Sequence, residues 1–340
     1  MRKFSIRQVL PCVLGLTSMC TQSTSTETRE SPRSNRIASQ PEWNELEWAA
    51  MLSSAAYAGC TGRTHDVTIM HQIVDRATAT QGFIGVSDQR KRIIIVFRGS
   101  NELRDFRNDL DTRKVAITGL GGTNFPTNVE VMHGVHAPWA AIHNDVIAQV
   151  RTLASKNPFY SIGITGHSLG GSLTYLGFPV LAQIFPDKQI IAAPLNAFPI
   201  GNEAFAQHSS KLISTRRIVR RGTQKNDGVP NMYTNNTRLS LLPGVPVFQH
   251  YGTEFYTNGT RQTTIVCDGQ HDKACSAGNG AMGPTPDHHY SFGVDMGPSG
   301  AMGCMASGGG FGANGGTARI MGAGEGGEVV RKLVEREWVA

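Results

Sequence analysis

The sequence pattern best suited to chemistry is GHSLG at residues 166–170, which has the form G-x-S-x-G. It follows an apolar run containing Ile162 and Ile164 and precedes a helix-compatible stretch over residues 169–185. A serine at such a sharp strand-to-helix turn presents its hydroxyl, and the flanking glycines let the backbone close where a Cβ would clash. The N–H that follows the serine points, at the helix N-terminus, towards any oxyanion formed there. Ser168 is therefore a candidate nucleophile.

A nucleophilic serine needs a base to take its proton and an acid to orient that base, and here both should follow the serine in loops after later strands. Asp227 fits the acid because it lies in a turn-rich loop directly after a basic strand around residues 216–221. Asp187 lies in a helix-ending turn and is more typical of a structural residue. His288 fits the base because it comes late in the chain, and spacing alone does not separate it from its neighbour His289.

Two other histidines have simpler interpretations. His167 belongs to the turn itself, and we expect it to pack beside the serine. His271 is expected at the surface, and the nearby Asp268 and Asp272 give only weak support for a metal site. The sequence therefore predicts no metal site, and serine chemistry requires no organic cofactor.

Elements that could position these side chains alternate along the chain. Helical apolar spacing and apolar runs predict the following segments: helix 42–57, strands 82–86 and 92–97 joined by a polar turn at 87–91, helix 136–155, strand 161–165, helix 169–185, strand 189–194, helix 203–208 and strand 217–219. Such β-α alternation predicts an α/β fold with a mainly parallel central sheet covered by helices on both faces.

Composition favours one large globular domain. The chain has 340 residues, of which 39% are hydrophobic and 17% charged, and its formal net charge is +6. Its densest basic group consists of Arg216, Arg217, Arg220 and Arg221. Because no aromatic platform or recognition helix accompanies these arginines, we expect strand-end or surface charges and no nucleic-acid partner. The domain is predicted over residues 41–305.

The two ends of the chain have a different character. Residues 1–20 combine a basic start, a short apolar run and small polar residues, which is the pattern of a secretory signal peptide. Residues 21–40 are polar and predict a flexible linker or propeptide. Residues 306–340 begin with a Gly-rich tail for which the sequence suggests no function. No run is long enough for a transmembrane segment, and N-x-T sequons at Asn235 and Asn258 fit glycosylation acceptors of a secreted protein.

Four cysteines remain beyond the signal peptide, and an even number in an exported chain suggests two disulfides. The short loop between Cys267 and Cys275 favours one bridge. That pairing leaves Cys60 for Cys304, which would join the front of the domain to its end.

Several ordered sequence blocks together resemble the fungal class 3 lipase family. They are FRGS at 97–100, DL at 109–110, HG at 133–134, GHSLGG at 166–171, DGVPN at 227–231, HYGTE at 250–254 and H-x-x-SFG at 288–293. The resemblance covers roughly residues 42–304 and implies an α/β-hydrolase fold. Residue by residue, it implies that Ser168 is the nucleophile, Asp227 the orienting acid and His288 the general base. It also implies that Ser100 and the N–H of Leu169 bind the oxyanion.

The family places its lid after this oxyanion serine. In residues 101–110, Leu103, Phe106 and Leu110 fall on one helical face opposite charged residues. This apolar face is narrower than that of family lids that respond to interfaces, so a lipid–water interface stays an open expectation. Residues 195–202 also depart from the family pattern, where many members carry Gly-x-Pro-Arg.

The resemblance implies a secreted serine ester hydrolase that works through an acyl-enzyme. An acylglycerol substrate is favoured. A feruloyl-type esterase that acts on soluble esters and a catalytically silent binding protein of the same fold are the alternatives.

Overall fold

Strands and helices alternate through the chain, as the sequence predicts. The computed structural model describes residues 35–100, 110–235 and 246–305. Its α-helices are α1 (Gln40–Tyr57), α2 (His133–Lys156), α3 (Leu169–Ile184), α4 (Glu203–Lys211) and α5 (Pro298–Gly303). Single-turn 3-10 helices cover Val229–Asn231, Arg261–Thr263, Ser276–Gly278 and Pro286–His289.

The strands are mostly short, with the longest in the first half of the domain. They are β1 (Arg36–Ile37), β2 (Arg63–Thr64), β3 (Val67–Asp75), β4 (Thr80–Ser87), β5 (Arg92–Phe97), β6 (Lys114–Ala116), β7 (Glu130–Met132), β8 (Ser161–His167), β9 (Ile190–Leu195), β10 (Arg217–Gln224), β11 (Thr253–Thr257), β12 (Ile265–Val266), β13 (Tyr290–Ser291), β14 (Val294–Asp295) and β15 (Cys304–Met305).

Eleven of these strands form one mixed sheet in the order β1-β12-β11-β10-β9-β8-β5-β4-β3-β2-β15. The central strands β5, β8, β9, β10 and β11 run parallel, and the strands on both sides of them pair antiparallel. The carboxyl ends of the parallel strands therefore share one edge of the sheet, where loops carry function in α/β folds. This arrangement confirms the predicted fold class.

Helices cover both faces of the sheet. On β5, Ile93, Ile95 and Phe97 pack into a large core with α2 and α3. Ile94 and Val96 point the other way, into a core with α1. All of these side chains are at most 2% exposed, because a strand between two layers buries both its faces. Each such apolar side chain stabilises the fold by about 1.5–3 kcal/mol.

The folded domain begins earlier than residue 41. Arg36 and Ile37 pair with β12, and Ser39 caps α1 through a capping box with Glu42, which also binds the Arg36 guanidinium. Residues 35–40 are thus part of the domain rather than of a linker. Residues 1–34 and 306–340, with the predicted signal peptide, the rest of the linker and the tail, lie outside the described residues.

One expectation about the basic strand is wrong. Arg216 directly precedes β10 and Arg217 begins it, as expected, and both donate to main-chain carbonyls before β9. Arg221, however, is only 1% exposed, and its Nη2 lies 2.7 Å from Oε2 of the equally buried Glu254. The two residues are register partners on β10 and β11, so the sheet itself brings the opposite charges together.

Both predicted disulfides are present. Cys60 and Cys304 join the segment after α1 to β15, with Cα atoms 5.2 Å apart. Cys267 and Cys275 close the short loop after β12, with Cα atoms 6.2 Å apart. Within the described ranges, no helix combines the length and apolarity that crossing a membrane requires.

Candidate active site

Ser168 lies at the sharp turn between β8 and α3. Its backbone has φ 58° and ψ −123°, a region that costs a non-glycine residue strain and is found at functional turns. The turn is held from both sides, because Ser168 N–H donates to the Leu195 carbonyl and the Ser168 carbonyl accepts from Ser172 N–H, each at 3.0 Å. The serine side chain therefore has a fixed direction relative to the sheet edge.

The glycines of the motif allow the close packing of this turn. A Cβ on Gly166 would lie 2.5 Å from the main chain of Gly170, and a Cβ on Gly170 would lie 2.4 Å from the Phe97 carbonyl oxygen. Neither position has room for a side chain without moving backbone atoms. The G-x-S-x-G pattern thus records a steric requirement of the turn.

A hydrogen-bonded chain runs from Ser168 through His288 to Asp227. His288 Nε2 lies 2.9 Å from Ser168 Oγ, and His288 Nδ1 lies 2.8 Å from Asp227 Oδ2. All three residues are at most 1% exposed. Such a chain holds the imidazole with Nε2 free to accept the serine proton and with a carboxylate behind the other nitrogen.

Three different elements supply these side chains. Ser168 follows β8 and Asp227 follows β10, so both lie at the carboxyl edge of the parallel strands. Asp227 is fixed further because its Oδ1 accepts from Val229 N–H at 2.9 Å and its carbonyl accepts from Asn279 Nδ2 at 2.9 Å. His288 comes from the 3-10 turn Pro286–His289, whose path returns to this edge late in the chain.

The remaining candidate acids and bases lie elsewhere. His289 does not make these contacts, and burial, followed by the proximity of His288, lowers its pKa to about 4. Asp187 is exposed and precedes β9, at the opposite edge of the sheet from Ser168. His271 is exposed within the Cys267–Cys275 loop, as expected from the sequence.

The predicted oxyanion residues both border the serine turn. Ser100 follows the end of β5 at Phe97, which is the register partner of Gly166 on β8. Leu169 is the first residue of α3, and the first N–H groups of a helix have no partner within it. Of the predicted lid residues, Leu103 and Phe106 lie outside the described residues. Leu110 is half-buried and packs against the main core.

The sequence analysis identified only some of the polar residues that surround the hydrogen bonds between Ser168, His288 and Asp227. His167 was expected beside the serine, but its contact with Tyr57, at 3.0 Å between Nδ1 and the hydroxyl, was not. Asn196 was also missed, and it donates to the main-chain carbonyls of His288 and Tyr290. Its position directly after β9, at the carboxyl edge, is the signal that could have identified it.

One cluster of side chains in the described residues resembles a metal-ligand set but has a structural explanation. Glu254, Cys267 and Cys275 lie close enough together to resemble a ligand set. The two cysteines are joined in a disulfide, and Glu254 is paired with Arg221. The cluster is therefore structural.

Comparison with known proteins agrees with the geometry. The family described as Lipase (class 3) matches residues 94–237. A secreted alkaline triacylglycerol lipase of Penicillium cyclopium is 45% identical over 279 residues, which cover 82% of this chain and 93% of the relative. The chain belongs to the class 3 lipase family. Among solved structures, a triacylglycerol lipase from Penicillium expansum superposes with a TM-score of 0.72 at 45% identity, covering 78% of this chain and 99% of that one.

A more distant solved structure bears on the site itself. A triacylglycerol lipase whose catalytic centre is described as a serine protease triad matches with a TM-score of 0.65 at 25% identity, over 78% of this chain and 99% of that chain. Membership in this lipase family makes the protein a carboxylic-ester hydrolase. The resemblance of this chain to the class 3 lipase family, predicted from ordered sequence blocks, is confirmed.

Proposed function

We propose that this protein is a secreted serine lipase that hydrolyses acylglycerols through an acyl-enzyme formed on Ser168. The observation that carries the proposal is the buried chain of hydrogen bonds from Ser168 Oγ to His288 and from His288 to Asp227, at 2.9 and 2.8 Å. The acylglycerol substrate is supported by the names of the relatives, which are triacylglycerol lipases.

The first half of the reaction forms the acyl-enzyme. His288 Nε2 takes the proton of Ser168 as Oγ attacks the acyl carbon, and the C–O bond to the alcohol then breaks as His288 returns that proton to the leaving oxygen. Asp227 holds the imidazole in the tautomer that this transfer needs. The N–H of Leu169 and a hydrogen-bond donor of Ser100 would bind the oxyanion of each tetrahedral intermediate.

In the second half, water replaces the alcohol. His288 takes a proton from water, the hydroxide attacks the acyl carbon, and the proton passes to Ser168 as the fatty acid leaves. A lid over residues 101–110 and action at a lipid–water interface are parts of this proposal that rest on the family resemblance alone.

Export is supported by independent features. Residues 1–20 have the signal-peptide pattern, the domain contains two disulfides, and disulfides persist in oxidising compartments. The relative from Penicillium cyclopium is secreted. Both predicted glycosylation acceptors, Asn235 and Asn258, are exposed.

A substrate panel on purified protein tests the function. The parent and a Ser168→Ala variant are compared on emulsified triolein, p-nitrophenyl butyrate and methyl ferulate. We expect hydrolysis of triolein and of p-nitrophenyl butyrate by the parent, and loss of both in the variant, because removing the nucleophile stops a triad that acts as a unit. Parent-level activity in Ser168→Ala would refute the mechanism. Hydrolysis of methyl ferulate without triolein would instead favour a feruloyl-type esterase, and no turnover with no organophosphate labelling of Ser168 would favour a silent binding protein.

A further inference from the structure

The main-chain carbonyl of His288 accepts two hydrogen bonds from buried side chains. His167 Nε2 lies 2.8 Å from this oxygen, and Asn196 Nδ2 lies 3.4 Å from it. Asn196 Nδ2 also donates to the Tyr290 carbonyl at 2.9 Å. His167 and Asn196 are 2% and 0% exposed. The backbone on both sides of residue 289 is therefore held, and with it the direction in which the His288 side chain leaves the chain.

The contact from His167 also fixes the protonation of its own ring. A carbonyl oxygen only accepts, so Nε2 carries the proton, and Nδ1 accepts from the Tyr57 hydroxyl at 3.0 Å. Burial, followed by the nearby His288, holds the pKa of His167 well below its ordinary value. His167 is thus a neutral donor whose ring centroid lies 4.6 Å from that of His288, and it adds no positive charge beside the base.

Tyr57 connects this donor to the loop that carries Ser100. Its hydroxyl packs against Gly99 so closely that a Cβ on the glycine would lie 2.0 Å from it. Burial raises the pKa of the Tyr57 hydroxyl, which keeps it a proton donor. The base side and the oxyanion side of the serine are therefore joined through one hydrogen-bonded pair, Tyr57 and His167.

Asn196 is suited to its position by both backbone and side chain. Its φ is 48°, in the left-handed region that Asn tolerates better than most residues. Its N–H donates to the Gly222 carbonyl at 2.8 Å, and its Oδ1 accepts from Ser291 Oγ at 3.2 Å. The main chain of Asn196 is thus held by Gly222, while its side-chain amide is held by Ser291 at Oδ1 and by two carbonyl oxygens at Nδ2. A carboxylate of the same shape would present an oxygen to those oxygens.

We propose that Asn196 and His167 are positioning residues for His288: together they hold its main-chain carbonyl and so keep His288 Nε2 at hydrogen-bond distance from Ser168. This rests on the proposed function, in which His288 is the general base. A reacting group that moves by about 1 Å loses about 100-fold in rate. Holding the backbone of the base therefore has catalytic value without contact between either residue and the substrate.

Replacement of Asn196 by glycine tests the proposal. Asn196→Gly keeps the left-handed backbone accessible and removes the side chain with its amide. We expect kcat on p-nitrophenyl butyrate to fall by about 10- to 100-fold, with KM within about twofold of the parent. The matched control is Asn202→Gly. Asn202 also donates to a main-chain carbonyl, that of Asn128 at 2.8 Å, but it caps α4 away from His288, and kcat should stay within about twofold of the parent.

A spectroscopic measurement separates positioning from general destabilisation. The proton between His288 Nδ1 and Asp227 should give a downfield ¹H NMR signal in the parent, which should move or broaden in Asn196→Gly and stay in place in Asn202→Gly. An unchanged signal together with parent-like kcat in a folded Asn196→Gly protein overturns the proposal. Loss of all activity in the parent, or its retention in Ser168→Ala, would instead count against the proposed function.

A second variant covers the case in which Asn196→Gly does not fold. Ser291→Ala removes the hydroxyl that orients Asn196 and leaves every main-chain bond in place. We expect a smaller loss of kcat, about three- to tenfold, because the amide keeps the bonds from Nδ2 to the two carbonyl oxygens and loses only the bond that Oδ1 accepts. Parent-like kcat and an unmoved downfield signal in Ser291→Ala would overturn the proposal in the same way.

Discussion

Replacing Asp227 by asparagine changes one atom at the centre of the proposed triad. Asp227 Oδ1 accepts from Val229 N–H at 2.9 Å, and Oδ2 accepts from His288 Nδ1 at 2.8 Å. The carboxamide introduced by Asp227→Asn cannot accept at both ends, so one of these bonds is lost in the variant. If the amide oxygen stays with Val229, the NH₂ group faces His288 Nδ1 and forces the proton onto Nε2, where it blocks removal of the Ser168 proton.

The alternative orientation of the amide keeps the useful tautomer but places its NH₂ group against the Val229 N–H. Two buried donors then face each other, which costs about 1–3 kcal/mol. The imidazolium that forms during the reaction also loses a charged partner for a neutral one, which costs about 1–1.5 kcal/mol more. The sum of about 2–4.5 kcal/mol corresponds to a fall in kcat of about 30- to 2,000-fold, at about 1.36 kcal/mol per factor of ten.

The assay is kcat on p-nitrophenyl butyrate at saturating substrate, with near-ultraviolet circular dichroism to show that the variant is folded. Asp187→Asn is the matched control, because Asp187 is exposed and lies at the opposite edge of the sheet. Its kcat should equal that of the parent. A folded Asp227→Asn protein with kcat within about threefold of the parent would show that Asp227 does not orient the base, since even the lower bound of the sum exceeds that change.

Two further predictions concern stability. Glu254→Gln should lower the free energy of unfolding by about 3–5 kcal/mol, because it leaves Arg221 buried without its counter-charge. At about 2–4 °C per kcal/mol, calorimetry should record a fall in Tm of about 6–20 °C. A change in Tm below about 2 °C would contradict the buried pair. Glu42 has its pKa lowered from 4.5 to about 2, first by its hydrogen bond from Arg36, so its ionised form stabilises the fold above the unfolded-state pKa and this contribution is lost as the pH falls towards the folded-state value. Denaturant titrations between those pH values should show that the free energy of unfolding falls less steeply with falling pH in Glu42→Gln than in the parent. Equal slopes of this free energy against pH for the two proteins would exclude the Arg36–Glu42 pair as a source of acid sensitivity.

Much of the fold was predictable because its strongest signals are local. Strand β5 was predicted over its full length, since a continuous apolar run fits a strand covered on both faces. Helix α1 was predicted from apolar spacing to within two residues of its start. Strand β3 was not predicted. It lies near the sheet edge, where the apolar side chains of Val74 and Met70 are 60% and 53% exposed. Because apolar residues therefore occur on both faces of the strand, its sequence lacks a clean apolar–polar alternation.

The sequence also left two questions about side chains open. Spacing alone could not separate His288 from His289. The resemblance to the family block H-x-x-SFG at 288–293 favoured His288, and the structure places its Nε2 2.9 Å from Ser168 Oγ. The burial of Arg221 was predicted wrongly, because only the register of β10 against β11 puts Glu254 beside it. In both cases the deciding information is which segments the fold brings side by side.

The sequence by itself determined the family, the glycine-flanked serine turn, the α/β alternation and both disulfide pairings, because each depends on residue types at short spacing or on a small number of cysteines. Only the tertiary structure decided how Asp227 is held and that Tyr57, His167 and Asn196 meet behind the His288 loop. Residues 57, 167, 196 and 288 belong to separate elements, and no local pattern records a contact that the order of strands in the sheet creates.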